Sequence, residues 1–172
     1  MNQLERTIRT GAGTGLHADS LLAAVLMAEI ISPGDDLWVI SGWISDVEVI
    51  DNSQCAFDAI LSDLPSMNCR LSQALTLVAA AGARINVVTR PGPHNEAFVR
   101  RLRSMIPDEQ RLHVVLDPEV HEKTICGRDW MLTGSMNFTA NGLGNSKEQV
   151  TYTVDSRGVA QAHLDFAQQW KV

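Results

Sequence analysis

The sequence lacks a long apolar run, a disulfide framework and an excess of basic charge. Its longest apolar stretch, residues 21–28, falls far short of the ~20 residues a membrane-spanning helix needs. The polar first ten residues do not read as a secretory signal. There are three cysteines, Cys55, Cys69 and Cys126, with no CxxC pair. An odd count at wide spacing argues against a disulfide scaffold or a zinc knuckle and favours a reducing compartment. Net charge is −6 and the sequence pI about 5.3, which excludes coating nucleic acid by bulk charge. No lysine-rich amphipathic stretch with aromatic anchors is present, so stable membrane association is not expected. No internal repeat is visible. These absences read together as a soluble, cytoplasmic protein.

What is present is an ordinary globular composition, 45% hydrophobic and 20% charged over 172 residues. That length predicts a single domain spanning 1–172 with a real hydrophobic core. Helical periodicity marks residues 16–31, where Leu21, Leu22, Val25, Leu26 and Ile30 form a stripe and Asp19 or Ser20 can cap. Residues 37–41 read as a buried strand. Two helices, 53–64 and 71–81, follow on either side of Pro65, and Gly82 suits a helix C-terminus. Then come a strand at 84–89, a helix at 95–105 and a strand at 111–116. The last third changes texture: strands at 120–126, 130–133 and 149–154, then a helix capped by Ser156 running to about residue 170. Alternation followed by a strand run predicts an α/β layered domain, with a mixed β-sheet flanked by helices and a C-terminal antiparallel hairpin.

That hairpin carries the chemistry. Residues 121–139 read HEKTICGRDWMLTGSMNFT. His121 and Lys123 stand two apart, so on a strand they share a face; the same holds for Ser135 and Asn137. A three-residue loop, 127–129, pairs Cys126 with Trp130. His121 then lies opposite Ser135 and Lys123 opposite Thr133, with Asn137 on the same face and Trp130 and Leu132 on the other. A histidine nucleophile or acid, a lysine point charge and two neutral donors would together suit a phosphoryl group.

These residues resemble the phospholipase D superfamily, whose signature is H-x-K-x4-D followed by G-S/T and an asparagine. Here it runs from His121 and Lys123 to Gly134-Ser135-Met136-Asn137-Phe138-Thr139. The GSxN form followed by Phe-Thr is similar to the small, single-motif endonuclease branch. The resemblance implies that Glu148, after an Asn-rich segment, orients the histidine. The signature aspartate should fall at 128, which is Arg128; Asp129 lies one residue late and either takes that role or leaves it vacant. The resemblance covers about residues 120–154. It implies a phospholipase D-like fold and metal-independent phosphodiester chemistry with no cofactor. It further implies a phosphohistidine intermediate and a homodimer that brings two histidines to one phosphate at the two-fold axis. Small members of the family also occur in bacterial DNA-modification and phage-defence gene sets, so a multi-protein complex is a possible setting.

Other signals are weaker. Glycine-rich residues 11–15 lack the GK[ST] of a phosphate loop, and HEKTI lacks the second histidine of a zinc motif. His17, His94, His113 and His163 show no metal-ligand spacing. Trp43, after the first strand, is a candidate stacking platform for a base or sugar. Arg100, Arg101 and Arg103, within the arginine-rich stretch from Arg84 to Arg111, are candidate substrate contacts. A nuclease acting on nucleic acid, DNA favoured, is the leading reading. A phospholipid phosphodiesterase or phosphatidyl transferase, and an inactive phosphate- or nucleic-acid-binding subunit, are the alternatives.

Overall fold

The computed structural model describes residues 4–9, 18–61, 68–139 and 149–171. Glu148, Pro65, His17 and the glycine-rich run at 11–15 lie outside them. Around a central strand the chain builds a seven-stranded sheet in the order β1-β9-β8-β7-β2-β5-β6. The strands are β1 (Leu4–Arg9), β2 (Asp36–Ser41), β5 (Arg84–Thr89), β6 (Leu112–Leu116), β7 (Lys123–Cys126), β8 (Trp130–Gly134) and β9 (Gln149–Val154). A separate ribbon pairs β3 (Glu48–Asp51) with β4 (Asn68–Arg70).

Strand β2 reads Asp-Leu-Trp-Val-Ile-Ser, and every residue after Asp36 is buried. Such a strand needs neighbours on both edges and cover on both faces. Its edges pair parallel with β5 and antiparallel with β7. One face packs under α1 (Ala18–Ile31), α3 (Leu71–Ala81) and α4 (Pro93–Met105), with Leu37 and Val39 joining Leu22, Leu26, Leu75, Ile85 and Leu102. On the other, Trp38 and Ile40 meet α5 (Ser156–Trp170). There Trp38, Phe166 and Trp170 stack obliquely, with ring centroids 5.5–6.0 Å apart.

The predicted layered, mixed sheet is therefore present, and differences arise where local hydrogen bonds compete. The stretch read as a helix at 53–64 turns first, and α2 (Asp58–Leu61) is short. Asn52 explains this: its Oδ1 accepts from Phe57 N and its Nδ2 donates to Asp58, which satisfies the chain in a non-helical form. Asp155, not Ser156, caps α5 by accepting from Arg157 N. Neither Asp19 nor Ser20 is a cap, since α1 already begins at Ala18. Strand β1 was not expected, because its exposed, polar sequence has no core face to advertise. It lies at the sheet edge, in register with all six residues of β9.

The hairpin register also differs from expectation. Cys126 pairs with Met131, Ile125 with Leu132 and Thr124 with Thr133. Gly127 N–H donates to the Trp130 carbonyl at 3.0 Å, closing a two-residue loop of Arg128 and Asp129. The shift by one residue has a physical cause in Glu29 of α1, which is only 2% exposed. Its Oε1 accepts from Arg128 N at 2.9 Å and Trp130 Nε1 at 2.7 Å, and its Oε2 from Gly34 N at 3.1 Å. This buried carboxylate draws the Trp130 indole onto the α1 face, beside Ile125 and Leu132. Any side chain at Gly127 would collide with Glu29 and Trp130.

Two predictions follow from this packing. Glu29→Ala leaves three donors without their carboxylate and should lower unfolding free energy by about 3 kcal/mol in urea titrations, with Glu29→Gln less damaging. For the thiols, burial pushes Cys69 up to about 11, with Asp46 adding to the effect. Burial likewise pushes Cys126 up to about 12, with Glu29 and Glu122 adding. Because the thiolate is the reactive form, a disulfide reagent at about pH 8 should titrate only the exposed Cys55 in the folded protein and all three thiols after denaturation.

Candidate active site

The site lies where β2, β5 and β7 part company. Strand β2 ends at Ser41, which is fully buried and sits opposite Lys123 at the start of β7. Ser41 Oγ lies 3.2 Å from Asn137 Oδ1 and 3.0 Å from the Trp43 carbonyl. Asn137 arrives there because β8 stops at Gly134 and the chain then bends toward β2. Phe138 forms an isolated bridge with Ile44, and Ser45 N–H donates to the Phe138 carbonyl at 2.8 Å. Gly134 is required at that bend: a Cβ would stand 2.2 Å from the Gln149 carbonyl oxygen.

His121 precedes β7, which begins at Lys123 rather than at residue 120, and its side chain is exposed. Lys123 Nζ donates back to the His121 carbonyl at 2.5 Å. Arg90, just past β5, holds this segment. Its Nε donates to the Val120 carbonyl at 2.9 Å, and one terminal nitrogen lies 2.8 Å from His121 Nδ1 and 3.0 Å from Nε2. Asn95, buried near the start of α4, joins the loops. Its Nδ2 donates to the carbonyls of Gly42 and Arg90, and its Oδ1 accepts from Ile44 N.

The sequence-predicted residues divide accordingly. His121, Lys123 and Asn137 converge, though through Ser41 and the bend after Gly134 rather than by the expected pairing of His121 with Ser135. Ser135 turns toward β9: its Oγ accepts from Gln149 N, and its own N–H donates to the Gln149 carbonyl. Asp129 is exposed at the hairpin tip, at the other end of β7 from Lys123. Glu148 lies outside the described residues. Trp43 is 42% exposed and meets His94 edge-on, with ring centroids 5.7 Å apart. His94 in turn contacts Ser45 Oγ at 3.0 Å.

The arginines of α4 line two adjoining grooves. Arg100 and Arg101 line an open groove of about 640 Å³ that also touches His94, Ser45 and Arg70. Arg101 is already paired with Asp46 at 2.9 Å. Arg100 also lines a second groove, shared with Arg103, Glu96, Val99 and Leu116. Among the described residues no group of three or more His, Cys, Asp or Glu side chains is placed to hold a metal ion.

Residues 47–170 match the family model described as "Cardiolipin synthase, PLD-like domain". The chain belongs to the phospholipase D-like family. Among solved structures, NucT from Helicobacter pylori is 13% identical, with a TM-score of 0.62 over 98% of this chain and 96% of that one. The phospholipase D family member Nuc from Salmonella typhimurium is 14% identical, with a TM-score of 0.63 over 98% and 94%. Phosphatidylserine synthase from Haemophilus influenzae Rd KW20 is 10% identical, with a TM-score of 0.60 over 98% of this chain but 38% of that one. A search by sequence among curated proteins found no match.

Within this phospholipase D-like frame, Ser41 and Asn95 escaped sequence reasoning, and Arg90 entered it only as a member of the arginine-rich stretch. A polar residue ending a wholly apolar strand was the available signal for Ser41. Arg90, at the end of the second parallel strand and before Pro91, offered the same kind of signal. Asn95 gave none, because its partners lie up to 53 residues away. Its substitution tests the junction: Asn95→Ala orphans Ile44 N and should cost about 2 kcal/mol by thermal or urea unfolding.

Proposed function

We propose that this phospholipase D-like protein is a metal-independent phosphodiesterase, and that it is a nuclease acting on DNA as a homodimer. The observation that carries the reading is the convergence of His121, Lys123 and Asn137 at the ends of β2, β5 and β7, anchored by buried Ser41. An imidazole nucleophile, a cation and an amide at one junction of strand ends would match the needs of phosphoryl transfer, in which charge spreads over the non-bridging oxygens. His121 attacks phosphorus and forms a P–N bond as the P–O bond to the leaving group breaks. The partner's His121 gives that oxygen its proton. Water then attacks the phosphohistidine, releases the phosphate ester and restores the imidazole. Lys123 and Asn137 stabilise the developing charge. Each chain carries the motif once, so a second copy across a two-fold axis completes the site.

Nucleic acid is favoured over lipid on two grounds. The chain spans nearly all of NucT and Nuc but only 38% of the phosphatidylserine synthase. Among the described residues no helix is long and apolar enough to cross a membrane. Exposed Trp43 and the neighbouring groove with Arg100 offer a stacking surface and a cation beside the reacting centre. The reading takes 1–172 as one domain and, from the buried free thiols, a reducing cytoplasmic setting. The net charge of −6 weakens non-specific binding, which suits a restricted substrate or delivery by a partner complex, as in a DNA-modification or defence system.

The test is a cleavage assay in EDTA with single-stranded DNA, duplex DNA, RNA and bis-p-nitrophenyl phosphate. The wild type should cleave DNA, and His121→Ala should lose on the order of 10³-fold or more in rate. Cleavage that requires a divalent cation, or that survives in His121→Ala, would overturn the mechanism. Light scattering of the active protein should report a dimer.

A further inference from the structure

Arg90 contacts the candidate nucleophile itself. It sits at the C-terminal end of β5, half-buried, and is fixed at three points. Asn95 donates to its backbone carbonyl at 2.8 Å, its Nε donates to the Val120 carbonyl at 2.9 Å, and one terminal nitrogen stands 2.8 and 3.0 Å from the two ring nitrogens of His121. A guanidinium only donates hydrogen bonds, so the imidazole nitrogen it meets must be an acceptor. That nitrogen's lone pair is the one a nucleophile needs. While the guanidinium holds that lone pair, it cannot attack phosphorus.

A phosphodiester offers this guanidinium a better partner than a neutral ring does. Its non-bridging oxygens are charged, and their spacing matches the two-pronged donor geometry of arginine. The Val120 and Asn95 contacts fix the planar guanidinium and its backbone, so in the exchange it is the exposed His121 ring that turns away. Resting on the phosphodiesterase reading, we propose that Arg90 is a phosphate ligand of this site and the latch on its nucleophile. The substrate's non-bridging oxygens take the guanidinium from His121, which anchors the phosphate and uncovers the imidazole in one exchange. Nucleophile exposure is thereby tied to phosphate occupancy. Gly42 fits this role, since a Cβ there would stand 3.2 Å from the Val120 carbonyl and 3.4 Å from Arg90 Nε, crowding the pivot.

The experiment uses the full chain and inorganic phosphate as probe, at fixed pH. The His121 ring signals are followed by NMR and assigned by their loss in His121→Asn. Phosphate should shift them in the wild type, and Arg90→Ala should bind at least about tenfold more weakly. In Arg90→Ala the His121 signals should also move before any phosphate is added. Because Arg90 supports the Val120 loop, Arg90→Gln serves as a second variant that keeps a neutral donor; it should retain the wild-type circular dichroism and the weak phosphate binding. With bis-p-nitrophenyl phosphate, kcat/KM should fall about 10²-fold in Arg90→Ala, with partial recovery in Arg90→Lys. Unchanged phosphate affinity in well-folded Arg90→Gln, or no phosphate-dependent shift in the wild type, overturns the assignment. A wild type that binds phosphate through Arg90 yet cleaves no diester would instead overturn the phosphodiesterase reading and leave the ligand assignment standing.

Discussion

The pairing of β2 with two unlike neighbours is the constraint on which the rest depends. A strand buried on both faces must satisfy every backbone group through its edges. Here one edge is met by a parallel strand and the other by an antiparallel one. The two ladders bring different chain directions to the same point. The C-terminal ends of β2 and β5 meet the N-terminal end of β7 at Ser41, Arg90 and Lys123. Loops diverge there, and their unpaired polar groups have to be satisfied by side chains. Asn95 does this for three backbone groups at once.

A second constraint sits at the far end of β7. Glu29 fixes the hairpin tip from the helix layer, and with it the register in which β8 pairs with β7. The carboxylate that the signature would place in the turn is absent at Arg128, and the turn instead takes a carboxylate from α1. Asp129 remains exposed to solvent. The hairpin is thus held by a tertiary contact where a local one was expected.

The two halves of the molecule differ in how directly their sequence announces them. Apolar strands and amphipathic helices declare themselves through periodicity, and β5 and β9 have the boundaries expected from it. Edge and ribbon strands such as β1, β3 and β4 do not, because exposed or very short strands carry no strong pattern. At the site, His121, Lys123 and Asn137 were legible from spacing and family resemblance. Arg90, Ser41 and Asn95 were not, because each acts through partners remote in sequence.

What the sequence by itself determined, then, is the layered α/β class and the central buried strand, and it named the candidate reactive side chains, all from local pattern. Tertiary structure alone decided the hairpin register, the path of the chain after Gly134 and the seat of Arg90 against His121. Those depend on contacts between residues far apart in the chain: Glu29 with Trp130, Ile44 with Phe138, and Asn95 with the loops after β2 and β5. Local preference cannot distinguish two registers that differ by one residue. Burial of one indole N–H against one carboxylate can, because leaving either group unpaired in the core costs more than any turn preference returns.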